Sequence, residues 1–459
     1  LNGDGIDETV VPMYDDASWG HKFDPTLMVA DWVGMDPFDT NNYLRLVPWV
    51  AGAHDIRDFF ETGVKYSNNI ALDGGNDKGT YRLSYTNVSE AGIMPNSKMD
   101  KNTINFAGSY NFTKKFSVES NVSYTKDANT GRYGTGYDPG NPMQSLGQWF
   151  QTNVDIADLK KYYVSSDGSQ RTWNYADPIS GDLSPIYHNN IYCTRLVNFE
   201  NDSRNRVFGY VNAKYQIAPW ISLEGRASTD YYSEMQEERI AIRSNQVSKY
   251  SKYLRSFNET NFDLMLKFNH NFGQIAMNGL VGVNRRRNEA ASTFATTVGG
   301  LHFNGFYNLM NSKSPIKTTE TDEILGVNST YANVTLSYNN IAYLDLSERV
   351  DRMSTLPVEN NTFQYPAVSG SFILSELETL KDIKALSFAK IRLNYAEVGN
   401  GADVYSTGKA YTQNTNWSTL GVFSLSTIIN NPELKPERTK SWEVGLEANF
   451  LDKRVGLDL

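Results

Sequence analysis

The sequence predicts an all-β protein, a transmembrane antiparallel up-and-down β-barrel with long extracellular loops. Three observations carry that prediction. The first is alternation: from Ala389, one face takes Ala389, Ile391, Leu393 and Tyr395 while Lys390, Arg392, Asn394 and Glu397 fall on or near the other, as successive side chains of a strand point to opposite sides. The second is length. The alternating runs reach roughly 9–11 residues, enough for a tilted strand to cross a bilayer, whereas strands of soluble proteins average about 5–6. The third is spacing, because tight turns alternate along the chain with long polar excursions, as in a barrel whose turns are short on one side of a membrane and long on the other.

Taken in order, residues 1–62 are rich in turns, hold Trp19, Trp32 and Trp49, and show no strand ladder. They are expected to be an extracellular loop region. Asn2-Gly3-Asp4-Gly5-Ile6-Asp7-Glu8 gathers oxygen ligands around glycine as calcium loops do, but the full spacing of such loops is not met. An Asx turn is the expectation here and a calcium loop the alternative. Residues 63–459 are read as part of a barrel. Strands are expected at 65–73, 80–89, 103–112 and 116–126, then at 206–217, 220–232, 237–243, 256–271 and 274–284. The remainder fall at 327–338, 341–350, 365–374, 384–398, 438–450 and 454–459. Ile104, Phe106, Tyr110 and Phe112, and later Trp442, Val444, Leu446, Ala448 and Phe450, repeat the one-sided apolar pattern. Tight turns are expected at 113–115, 218–219, 271–273, 339–340 and 451–453, and large loops near 127–203, 285–325 and 399–435. The last run, Val455, Leu457 and Leu459, alternates up to the final residue, and the chain is read as part of a longer protein.

Composition narrows the function classes. Aromatic residues make up 13% of the chain, with 28 Tyr and 22 Phe, which suits rings seated between lipid and water. A net charge of -9, with no basic stripe beyond Arg285-Arg286-Arg287, argues against a nucleic-acid partner. A single cysteine, Cys193, excludes a disulfide framework, and the five His are scattered without metal spacing. No apolar run reaches the 18 or so residues of a membrane helix. No nucleophile elbow, phosphate loop or His-Glu-x-x-His is present, so an enzyme is not expected.

Several stretches carry a family likeness. They are Tyr81-Arg82-Leu83-Ser84-Tyr85 with Gly92-Ile93-Met94-Pro95-Asn96, then Asn205-Arg206-Val207-Phe208-Gly209, then Asp351-Arg352-Met353-Ser354-Thr355-Leu356-Pro357. Tyr365-Pro366-Ala367-Val368-Ser369-Gly370-Ser371-Phe372, Lys390-Ile391-Arg392-Leu393-Asn394-Tyr395 and Asn431-Pro432-Glu433-Leu434-Lys435-Pro436-Glu437 follow in order. Together they resemble the SusC-like TonB-dependent outer membrane transporters of Bacteroidetes (the SusC/RagA family). The resemblance implies a 22-strand barrel filled by a plug, the plug being expected outside this chain. It implies import of oligosaccharides or peptides across the bacterial outer membrane, powered by the TonB–ExbB–ExbD complex through the plug region. A SusD-like surface lipoprotein would cap the mouth, and transporter–lipoprotein pairs would be able to dimerise. A surface adhesin or passive pore built on the same barrel is the alternative.

Sugar recognition needs flat aromatic faces beside planar polar groups. Within 127–203, Trp149, Trp173, Tyr175 and Tyr187 stand near Asp177, Asn189 and Asn190 in sequence, and these residues are the expected contacts to ligand or lipoprotein lid. No catalytic residue, metal ligand or bound cofactor is expected.

Overall fold

A computed structural model of the chain describes residues 9–459. The calcium-loop alternative at Asn2–Glu8 lies outside them. A hairpin of β1 (Asp24–Ala30) and β2 (Leu46–Trp49) comes first. The main sheet opens with β3 (Val64–Asn76), β4 (Gly79–Ala91), β5 (Lys98–Asn111) and β6 (Phe116–Arg132). An insert then holds α1 (Pro142–Gly147), α2 (Ile156–Lys161), the small hairpin of β7 (Tyr175–Asp177) and β8 (Asp182–Pro185), and α3 (Ile191–Leu196). The sheet resumes with β9 (Glu200–Ala218), β10 (Ile221–Ile240), β11 (Lys249–Phe272), β12 (Ile275–Leu301), β13 (Ser312–Tyr338) and β14 (Ala342–Met353). There follow β15 (Thr362–Gln364), β16 (Ala367–Ile373), α4 (Glu378–Lys381) and β17 (Leu386–Asn400). A separate hairpin of β18 (Tyr411–Trp417) and β19 (Leu420–Leu425) precedes β20 (Glu437–Phe450) and β21 (Val455–Asp458).

The main sheet has 15 strands, each paired antiparallel to its neighbour in chain order once the small hairpins are set aside. β3 and β21 form its two outer edges, and β15 pairs beside β14. Turns at one end are mostly tight. Asn339 and Asn340 both take positive φ, 49° and 60°, between β13 and β14, as the primed two-residue turn that matches strand twist requires. At the other end lie the connections 92–97, 133–199, 241–248, 302–311, 354–366 and 401–436.

Register fixes what each face carries. Across β11, β12, β13 and β14 the same outward face takes Phe272, Ile275, Tyr338 and Ala342 at the tight-turn end, then Phe268, Gly279, Val334 and Leu346. Farther up come Leu264, Val283, Thr330 and Val350, and one row beyond them Phe262, Arg285, Asn328 and Arg352. The large apolar side chains on this face are exposed: Phe262 by 59%, Leu264 by 50%, Val283 by 50% and Phe272 by 56%. On the opposite face of the same strands Ser329, Asp351, Val327 and Met353 are buried. A sheet that exposes its greasy side over a contiguous area is built for a non-aqueous surrounding. Ten residue steps from Phe272 to Phe262, at about 3.3 Å each and tilted by about 40°, span about 25 Å, the height of a lipid-facing band. Aromatic rings mark its tight-turn edge, with Tyr110, Phe112, Trp220, Phe272 and Tyr338 all exposed.

The structure revises several expected boundaries. Residues 285–325 are not an irregular loop, because β12 continues to Leu301 and β13 starts at Ser312, so most of that stretch is a projecting hairpin. Its reach above the apolar band puts water on both faces, and alternation disappears from the sequence. Of the separate strand expected at 237–243, residues 237–240 are the upper end of β10 and 241–243 belong to the connection after it. Residues 1–62, expected to lack a ladder, contain the β1–β2 hairpin, and 399–435 contains the β18–β19 hairpin. Glu397 shares the outward face with Tyr395, whose hydroxyl donates to it at 2.5 Å, rather than turning inward with Asn394.

Candidate functional site

At the long-loop end, residues 9–60 and 133–199 pack into one module. Helix starts are set by side-chain caps: Asn141, Asp155 and Asn190 each accept from a backbone N–H two residues on, which satisfies donors the helix cannot. The apolar core joins Met13, Trp32, Val33 and Phe59 from the first segment to Phe150, Ile156, Leu159, Trp173, Tyr175, Ile191 and Tyr192 from the second. Buried polar groups stitch the segments together. Arg171 pairs with Asp36 at 3.2 Å and Asp39 at 3.0 Å and donates to the Val33 carbonyl at 2.9 Å. The Asn174 amide donates to the Met13 carbonyl at 2.8 Å and accepts from the Tyr187 and His188 N–H groups at 2.9 and 3.0 Å.

The module is clamped to the sheet by Arg195, which is 1% exposed. Its guanidinium donates to the carbonyls of Pro95 at 3.0 Å and Gly131 at 2.6 Å, and the Asn96 amide donates back to the Arg195 carbonyl at 2.9 Å. Gly131 holds φ +77°, and a Cβ there would lie 2.0 Å from the Asn96 carbonyl oxygen, so glycine is required at the top of β6. A second anchor joins Asn189 to the β10–β11 connection. Its amide donates to Asn245 Oδ1 at 2.7 Å, and its carbonyl oxygen accepts from Asn245 N–H at 2.8 Å and from Gln170 at 2.6 Å.

This packing separates the expected contact residues. Trp173 and Tyr175 are 2% and 0% exposed, Asn190 is wholly buried, and none of the three reaches the surface. Trp173 meets Phe150 edge-on and stacks on His188; Asn190 caps α3 and donates to the Leu159 carbonyl at 3.1 Å. Loop size explains the correction: an insert this long needs a core of its own, and its aromatic residues supply it. Asp177 is exposed on the β7–β8 hairpin, where it accepts from the Ser180 N–H at 3.2 Å. Trp149, Tyr187 and Asn189 do come together, lining a cleft of ≈ 320 Å³. The cleft also takes Asp16, Tyr137, Gln144, His188 and Asn245, which sequence reasoning missed. Only the exposed Tyr137, in its Gly/Pro-rich stretch, left a signal of a surface loop. Burial lowers the His188 pKa from its ordinary value, opposed by Asp16 at 3.4 Å. Among the described residues, no cluster of His, Cys, Asp or Glu side chains could hold a metal.

Below the module, the inner face of β9–β14 is a polar wall that carries several matched charge pairs. Glu234 pairs with Arg204 and with Arg255 at 2.8 Å, Asp230 with Arg206 at 2.5 Å, Glu224 with Lys267 at 2.6 Å, and Asp351 with Arg349 at 2.8 Å. Aromatic rings carry the guanidinium groups, Arg204 over Tyr232 and Arg206 over Phe208, each 5.0 Å from the ring centre. Such a wall is polar enough to be wetted.

A family model described as "TonB dependent receptor-like, beta-barrel" matches residues 222–459. The chain belongs to this family. As a member of the TonB-dependent receptor barrels it turns its apolar face to lipid and its charged face to the barrel interior. It is 23% identical over 414 residues to TonB-dependent receptor P3 of Formosa agariphila, covering 87% of this chain and 40% of that protein. It is 25% identical over 432 residues to TonB-dependent receptor SusC of Bacteroides thetaiotaomicron, covering 87% of this chain and 41% of SusC. The RagAB peptide transporter has the same fold, with a TM-score of 0.70 at 15% identity over 89% of this chain and 45% of that one. The chain thus spans about two-fifths of the curated relatives it matches. These relatives are receptors and transporters, and no catalytic family is indicated.

Proposed function

We propose that the full protein is an outer membrane importer that carries oligosaccharides, or alternatively peptides, through a plugged 22-strand barrel. In this reading TonB drives transport and a SusD-like lipoprotein closes the mouth. The observation that carries it is the pairing of an open cleft in the long-loop module with a polar wall of charged side chains beneath, in a TonB-dependent receptor barrel. Trp149 and Tyr187 offer ring faces at that cleft, with Asp16 and Gln144 as polar partners, a combination suited to sugar hydroxyls and C–H surfaces. Asn189 positions the cleft wall through Asn245. Exposed Asp177 lies apart from the cleft and suits the lid contact instead. The likeness to the RagAB peptide transporter keeps peptides in the substrate range.

Uptake of labelled oligosaccharides and oligopeptides by cells expressing the protein, with and without TonB, tests the reading. Saturable uptake that disappears without TonB, and that falls in Trp149→Ala and Tyr187→Ala variants, is expected. Uptake indifferent to TonB, with steady conductance in planar bilayers, would replace the importer with a passive pore.

A further inference from the structure

The cleft in the long-loop module holds one carboxylate and no cation to match it. Among the described residues that line its ≈ 320 Å³, Asp16 is the one acidic side chain, and there is no Lys or Arg. The Asp16 side chain is 32% exposed, and its one side-chain hydrogen-bond partner among the described residues is His188 Nε2 at 3.4 Å. Burial lowers the His188 pKa, so at pH 7 the ring is neutral and leaves the carboxylate uncompensated. Two other polar side chains of the cleft are engaged already. Asn189 donates to Asn245 Oδ1 at 2.7 Å, and the Asn245 amide donates to the Tyr187 carbonyl at 2.7 Å. The charge of the cleft therefore comes from Asp16 alone.

Aromatic rings complete the surround. Tyr137 and Tyr187 are 74% and 55% exposed, and Trp149 is half-buried. The face of an aromatic ring is the negative side of its quadrupole and attracts a cation. A neutral ligand covering Asp16 would strip water from the carboxylate and return a hydroxyl bond. An ammonium group returns an ion pair and a seat against the rings as well. A uronate or a sulfated sugar would be opposed by the carboxylate and the ring faces alike. Ligand pockets run to about 300–1,000 Å³, and a cleft at the small end of that range has room for one sugar ring or one chain terminus.

We propose that this cleft selects its ligand by an ammonium group, which Asp16 pairs with and the rings of Trp149 and Tyr187 flank. The inference rests on the reading that the cleft contacts ligand. An amino sugar and a peptide amino terminus both supply the group, and the test separates them. Full-length protein in detergent at pH 7 is titrated by calorimetry with glucosamine trisaccharide, its N-acetylated form, trialanine amide and N-acetyl-trialanine amide. At least one free amine is expected to bind about tenfold or more tighter than its acetylated counterpart. That advantage should vanish in Asp16→Asn. A preference confined to the trisaccharide assigns the group to an amino sugar, one confined to trialanine amide to a peptide terminus, and one shown by both to the ammonium whatever carries it. Equal binding of free and acetylated probes, binding of neither free amine, or an amine preference unchanged in Asp16→Asn would each overturn the proposal. Should Asp16→Asn fail to fold, the comparison of free with acetylated probes in the unaltered protein decides alone. Trp149→Ala keeps two failures apart. Free and acetylated probes that bind alike but lose affinity in Trp149→Ala would end the ammonium proposal and keep the cleft as a ligand site. Probes bound equally well by Trp149→Ala, Asp16→Asn and the unaltered protein would fail the cleft reading itself.

Discussion

Replacing Trp173 with alanine should open the long-loop module and leave the barrel wall intact. Removing a buried Trp costs about 3–5 kcal/mol, the upper end applying where neighbours cannot close the gap. Here they are held in place. The Asn174 side chain fixes Met13, Tyr187 and His188, and the Thr172 hydroxyl donates to the His188 carbonyl at 3.0 Å. Lost with the indole are the edge contact to Phe150 at 5.7 Å and the stack on His188 at 5.9 Å, the first worth about 0.5–1.5 kcal/mol beyond area alone. A cost near 4 kcal/mol raises the open population about a thousandfold and should speed amide exchange of α1, α2 and α3 to match. Exchange–mass spectrometry in detergent measures this, with β11 and β12 as the unaffected reference. Unchanged helix exchange with lost ligand uptake would refute the assignment of Trp173 to the core and restore it as a contact residue.

Other outcomes follow from the same geometry. His188 has a pKa lowered by burial, so its contribution to module stability is complete above pH 6.5 and is lost as pH falls toward the folded-state value. His54, raised by its hydrogen bond to Asp155, has the opposite sign and loses its contribution as pH rises through its folded-state value. Module exchange in a His54→Gln background should therefore accelerate on acidification from pH 7 to 5, and His188→Gln should flatten that response. Burial pushes the Cys193 thiol up to about 12, so maleimide should leave it unlabelled until the module is opened by denaturant or by Trp173→Ala. Glu348 stands on the lipid side of β14, two residues below Val350, and one of its carboxylate oxygens is buried without a partner. Glu348→Leu should stabilise the wall by about 1–2 kcal/mol, seen as a higher midpoint for heat-modified gel mobility, and a lower midpoint would refute the assigned face.

What the sequence made legible follows the position of water. Where β11, β12 and β13 cross the apolar band, one face meets lipid and the other a wetted interior, so Phe262, Leu264, Leu266 and Phe268 announce the strand without structural help. Above the band both faces are wet. Residues 312–325 form half of a long strand, yet with Lys313, Ser314, Thr318, Thr319 and Glu320 they show no period at all. The site was less readable for a different reason. Trp173 and Trp149 are chemically identical, and only the long-range partners Met13, Val33 and Phe59 decide that one is core and the other stands at a cleft. Asp16 and His188 reach the same cleft from opposite sides of four strands, a proximity no local pattern encodes.

The module's core draws on two segments separated by β3, β4, β5 and β6. Its contacts are therefore of long sequence separation, and their closure entropy is met only after those four strands have been laid side by side. Arg195 adds a second condition, because the carbonyls it grips, Pro95 and Gly131, reach their places only when the β4–β5 connection and the top of β6 are formed. Assembly of the module is thus ordered after β3–β6 by topology. A protease-resistant 133–199 segment would serve as a time stamp for those four strands already in register, separating chains that have laid them side by side from those that have not.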